Sequence, residues 1–143
     1  MKFIASELQS CLRDSQIPPF DVVSGTGHWM GLTIRTSTTG EVLLLISFHP
    51  QNMNKFQLKD IKSKLRGFFT EGRGVQCNVS SLYFNERQQW ESGELEHIYG
   101  SECITETLMG KFFQVSNEKK NANSNKVLTD ISAIKIFSLK KII

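Results

Sequence analysis

Two β-rich runs, residues 32–37 and 41–49, flank the short polar link Thr38-Thr39-Gly40. Apolar and β-branched residues on both sides of a turn signal this tight predict a β-hairpin. Pro50 cannot donate to a strand ladder and closes the second strand. With the turn centred near Thr38-Thr39, residues whose numbers sum to about 77 or 78 face each other. That register sets His49 opposite His28 or Trp29 at the open end of the pair. Two-residue alternation puts Arg35 on the face of Thr33 and Ser37.

Around this hairpin the pattern is that of an α+β fold: an antiparallel sheet with one or two helices packed on one face and an irregular tail. Ile4, Leu8, Cys11 and Leu12 recur at helical spacing over residues 3–13. Pro18-Pro19 ends that helix and starts an extended connection to Gly27. Residues 54–69 give the clearest helix, with Asn54 as N-cap and Leu58, Ile61, Leu65 and Phe68 as its apolar stripe. A basic stripe, Lys55, Lys59, Lys62 and Arg66, runs beside it, suited either to a solvated face or to phosphates. After Glu71-Gly72-Arg73-Gly74, residues 75–85 read as a strand and 86–93 as a polar loop carrying Trp90. Residues 103–108 and 111–116 read as two short strands turning at Met109-Gly110.

The character changes at residue 117. Residues 117–125 hold four asparagines and two lysines with no aromatic residue, which predicts a linker. The division expected is therefore a domain over 1–116 and a polar, basic tail over 117–143, flexible or marginally helical. The net charge of +3 is concentrated there: Lys119, Lys120, Lys126, Lys135, Lys140 and Lys141 face only Glu118 and Asp130, leaving 11 basic and 12 acidic residues before them. General phosphate attraction is weak in that nearly neutral part, so nucleic-acid contact would need local placement. No apolar run is long enough to span a membrane, and Met1 to Ser6 lacks the long apolar segment of a secretory signal. These features predict a cytoplasmic or nuclear chain, monomeric and without membrane contact.

Chemistry-bearing motifs are sparse. Cys11, Cys77 and Cys103 are odd in number and widely spaced, which argues against a disulfide framework and a zinc site. Glu91, Glu94, Glu96, His97 and Glu106 lack metal-ligand spacing, and no metal is expected. The glycines of Gly25-Thr26-Gly27-His28-Trp29-Met30-Gly31 do not sit between a strand and a helix, so they read as turns rather than a nucleotide loop. At the hairpin's open end, an indole, an imidazole and nearby hydroxyls could seat an unstacked base. Equally, Trp29 could fill a core edge and His49 take up a backbone hydrogen bond.

Several blocks, in order and spacing, resemble the eukaryotic tRNA (uracil-5-)-methyltransferases. They are Gly27-His28-Trp29, Leu32-Thr33-Ile34-Arg35-Thr36-Ser37, Phe48-His49-Pro50-Gln51, Phe68-Phe69-Thr70-Glu71-Gly72, Ser80-Ser81-Leu82-Tyr83-Phe84, Glu96-His97 with Gly100, and Ile104 through Gly110. The resemblance covers residues 5–116. It implies methyl transfer from S-adenosylmethionine to C5 of a T-loop uridine in tRNA, with a cysteine thiolate adding to C6 and a base removing the C5 proton. It assigns this chain to the central domain, which helps seat the flipped uridine, and places the family histidine on His49 and an aromatic-basic cluster on Trp29, Met30 and Arg35. With His28 from the hairpin's open end, the RNA contacts expected are His49, Trp29, Arg35 and His28. Met30 stands where many members carry Arg or Lys.

The departures are as informative. Phe112-Phe113-Gln114-Val115-Ser116 resembles the family's cofactor segment, but its position after Gly110 fits an earlier strand, and Asn117 stands where proline is expected. The glycine-rich cofactor loop, the S-C-N nucleophile segment and the C-terminal base have no match, so none of the cysteines is assigned as nucleophile. The expectation is a fragment that binds tRNA weakly, does not bind S-adenosylmethionine and is inactive alone. The alternative is a protein-interaction or regulatory module without RNA binding.

Overall fold

The computed structural model describes residues 2–88, 93–108, 111–116 and 135–137, with backbone alone from residue 106 onward. Helix α1 (Lys2–Asp14) leads through the Pro18-Pro19 connection to strands β1 (Trp29–Thr36) and β2 (Val42–Phe48). Helix α2 (Lys55–Thr70) and a 3-10 turn (Arg73–Cys77) follow, then β3 (Val79–Glu86) and β4 (Glu94–Gly100). Strands β5 (Cys103–Leu108) and β6 (Lys111–Ser116) form a separate antiparallel pair, and β7 (Lys135–Phe137) adds to β1. Trp90, Glu91 and the Met109-Gly110 turn lie outside the described residues.

The α+β class holds, but the sheet is mixed rather than antiparallel. Its order is β4-β3-β2-β1-β7, and β2 and β3 run parallel. The cause is α2: a helix between two neighbouring strands carries the chain back to the starting edge, so the second strand repeats the direction of the first. The hairpin register is the expected one, with Leu32 opposite Ile46 and Trp29 opposite Phe48.

The two faces of the sheet are covered differently. Leu32, Ile34, Leu44, Ile46, Phe48, Leu82 and Phe84 pack under Leu8 and Leu12 of α1 and Leu58, Ile61, Leu65 and Phe69 of α2. On the reverse face Leu43 and Tyr83 meet Ile104 of β5. Strand β2 is thus covered on both sides, which explains its unbroken Val-Leu-Leu-Leu-Ile run. Phe69, not Phe68, completes the buried row of α2. Phe68 turns toward Gly74, where an added Cβ would lie 2.6 Å from its ring.

The strand expected from residue 75 begins only at Val79. The glycines at 72 and 74 allow a 3-10 turn against Phe68, and Asn78 leaves it in a left-handed conformation (φ 48°). Within the tail expected to be flexible or helical, Lys135–Phe137 pairs with Leu32 to Ile34 as a strand. Among the described residues no helix is long and apolar enough to cross a membrane, and no cluster of His, Cys, Asp and Glu could hold a metal ion.

Candidate nucleic-acid interface at the strand ends

The ends of β1 and β2 are tied together by two histidines. The backbone N–H of His49 donates to the His28 carbonyl at 2.7 Å, and His28 Nδ1 lies 2.8 Å from the His49 carbonyl. A carbonyl only accepts, so in its neutral form His28 carries its proton on Nδ1 and presents a lone pair on Nε2. For His49 the order is reversed: Nδ1 accepts from the Gln51 N–H at 3.1 Å, so the proton sits on Nε2. Among the described residues neither Nε2 has a hydrogen-bond partner; His28 is half-buried and His49 is 9% exposed. The two neutral rings thus carry opposite polarity at Nε2, an acceptor on His28 and a donor on His49.

Packing fixes both rings. His49 stacks on Phe20 with centroids 4.9 Å apart, and His28 stacks on Phe48 at 5.2 Å. Burial lowers the His49 pKa below its ordinary 6.5, and the neighbouring His28 pushes in the same direction. The loop beneath is clamped by Gln51, whose side-chain amide donates to the carbonyls of Gly25 and Gly27 at 2.8 and 2.9 Å. Gly27 itself has φ +89° and lies against Pro19, where a Cβ would come within 2.0 Å of the carbonyl oxygen.

The structure brings together His28 and His49 but not the other two expected residues. Trp29 is 1% exposed and belongs to the helix-side core, edge-on to Phe48 at 4.8 Å. The reason is a bulge: the register slips between Trp29 and Gly31, so Met30 is the extra residue. That slip moves Trp29 from the odd-numbered face to the face of Leu32 and Ile34. Its indole is consequently no free stacking platform. It supports Phe48, and through Phe48 the His28 ring.

Arg35 lies six residues further along β1, about 20 Å from Trp29 at strand rise. It sits on the reverse face opposite Leu43, half-buried, with its pKa lowered by burial and its buried Nε unpaired. No aromatic-basic cluster forms between it and Trp29. Two contributors to the strand end escaped sequence reasoning. Phe20 comes from the proline connection, and Arg87 is placed beside Phe48 by its backbone bond to the Phe48 carbonyl at 3.0 Å. Parallel pairing brings Arg87 there, and nothing in the local sequence signals it.

All three cysteines are free thiols, and two of them lie in unfavourable settings for a nucleophile. Burial, aided by Asp14, pushes the Cys11 pKa up to about 11. Burial and Glu7 raise that of Cys77.

An α+β domain with a β2–α2–β3 crossover and a pair of imidazoles at its strand ends is the class that fold and site define. By sequence the chain is a homologue of a segment of the tRNA (uracil-5-)-methyltransferase homologs A and B. It is 36% identical to mouse homolog A over 120 residues, which is 80% of this chain and 20% of that protein. Against human homolog A the identity is 35% over 80% of this chain and 19% of the relative. Zebrafish homolog B matches at 32% over 85% of this chain and 28% of the relative. The chain thus spans a fifth to about a quarter of the length of these relatives. No protein-family model matches it. Among solved structures, the Pyrococcus abyssi tRNA (uracil-54, C5)-methyltransferase in complex with S-adenosyl-L-homocysteine superposes with a TM-score of 0.52. At 15% identity, over 77% of this chain and 25% of that one, this likeness speaks for the fold alone.

Proposed function

We propose that this chain is the RNA-contacting portion of a tRNA uracil-5 methyltransferase, seating the target uridine at the strand end while methyl transfer depends on residues it does not carry. The observation that carries the reading is the complementary pair of unpartnered Nε2 atoms on His28 and His49 at the strand end. A uracil edge alternates carbonyl acceptors with an N–H donor. The protonated Nε2 of His49 suits a carbonyl, and the bare Nε2 of His28 suits the N–H. The homology to tRNA methyltransferases supports the choice of RNA as the partner.

In this reading S-adenosylmethionine is held by residues other than those of the strand-end loop. In the glycine-bearing turn, the Gly25 N–H is bonded to the Asp21 carbonyl and the His28 N–H to the Pro18 carbonyl, so neither amide is free for a ligand. Arg35, at the far end of β1, is assigned no uridine contact in this reading.

Binding of unmodified tRNA to the whole chain tests the proposal. His49→Ala removes the Nε2 hydrogen bond and should weaken binding by ~0.5–1.5 kcal/mol. His28→Ala should weaken it as well, and Trp29→Phe, which keeps the core filled, should have little effect. Unchanged affinity in both folded histidine variants would refute the uridine seat.

A further inference from the structure

The four cations of the basic stripe on α2 open on a groove of about 620 Å³ between α2 and β4, and its other wall carries Glu86, Glu94 and Glu96. At about 100° per residue, Lys55, Lys59, Lys62 and Arg66 fall within an arc of about 60°. Such a stripe is commonly a solvated face neutralised by carboxylates one turn away. Here the (i, i+4) ion pair of α2 is Lys64 with Asp60, on the opposite side of the helix from the stripe. Lys62 alone is engaged: it bridges Glu86 and Glu96 at 2.5 Å each and lies 5.4 Å over the Phe84 ring. Burial would lower its pKa, but the two carboxylates more than reverse that, so it stays charged. Glu86 and Glu96 are thereby occupied. Lys55, Lys59 and Arg66 stand exposed, with no carboxylate partner among the described residues.

Position adds to charge. Helix α2 begins six residues after His49, so the stripe starts at the end of the molecule that holds the imidazole pair and runs about 16 Å away from it.

We infer that Lys55, Lys59 and Arg66 form a phosphate track for RNA, leading the backbone along α2 to the strand end. The inference rests on the RNA reading above and adds to it a contact that is blind to sequence. A backbone held by three cations releases counterions on binding, which makes salt dependence its signature.

The test is a salt titration of tRNA binding by the whole chain and by the triple variant Lys55→Gln/Lys59→Gln/Arg66→Gln. Glutamine preserves helix propensity at these exposed positions. The slope of log Kobs against log[salt] should shrink by about 2 to 3. The loss should be equal for tRNA and for an unrelated RNA of the same length. The control pair Lys2→Gln/Arg13→Gln on α1 should leave the slope unchanged. An unchanged slope in the triple variant would overturn the track while leaving the uridine seat, which His49→Ala reports at fixed salt. No tRNA binding by the parent chain at low salt would overturn both. If polyglutamate, standing in for an acidic protein, bound the parent as tightly as RNA and lost that binding in the triple variant, the surface would belong to a protein partner and the RNA assignment would fail.

Discussion

At His49 the Nδ1 atom accepts a hydrogen bond from the Gln51 N–H, so a proton there would set two donors against each other. Burial, and after it the neighbouring His28, act in the same direction and hold the folded-state pKa below 6.5. As pH falls, the unfolded chain takes up the proton first, so folding stability contributed by this residue is complete above pH 6.5 and declines below it. The melting temperature of the parent chain should therefore drop more between pH 7.5 and pH 5.5 than that of His49→Gln, which keeps an acceptor but does not titrate. Identical pH profiles would show that the imidazole is not coupled to folding. At the same scale Trp29 shows where reading a sequence stops. Alternation predicts its face correctly only if no residue is extra, and the bulge at Met30 reverses the outcome.

Helix α2 is the element most legible in the sequence. Its start was marked by Asn54, and the structure adds the reciprocal bond: Asn54 accepts from the Gln57 N–H, and the Gln57 side chain accepts from the Asn54 N–H, both at 2.9 Å. Asn54→Ala should cost about 1 kcal/mol in urea denaturation, and Gln57→Ala less, because only the former exposes an orphan amide inside the first turn. The hairpin was legible for the same kind of reason, since both a cap and a register depend on residues close in sequence. The segment after α2 was not. Val75 has strand propensity, yet it is exposed in a 3-10 turn, because the approach of Phe68 to Gly74 and the left-handed Asn78 set the chain direction there. Strand β4 is hard to read locally, since Glu94 and Glu96 lie on the face toward α2, where an apolar pattern would be expected, while Leu95 and His97 face the sheet's reverse side beside Asn85 and Tyr83.

For the molecule as a whole, the central question is whether this chain alone carries out methylation. A thiolate is needed to attack C6 of a uracil, and burial holds Cys11 and Cys77 protonated at neutral pH. Purified chain with tRNA and labelled S-adenosylmethionine at pH 7.5 should yield no 5-methyluridine, and measurable turnover would overturn the assignment of a contact role without chemistry.

From the order of its residues alone, the chain determined the α+β class, the hairpin and its register, and the apolar stripes of both helices except for Phe68 and Cys11. Each of these is a periodicity or a cap, decided within a few residues by backbone geometry and side-chain polarity. The parallel pairing of β2 with β3, the arrival of Arg87 beside Phe48, and the bridge from Lys62 to Glu96 across 34 residues were decided by the tertiary structure. These depend on which distant surfaces can be buried together, and a free energy shared among many contacts leaves no local mark in the sequence.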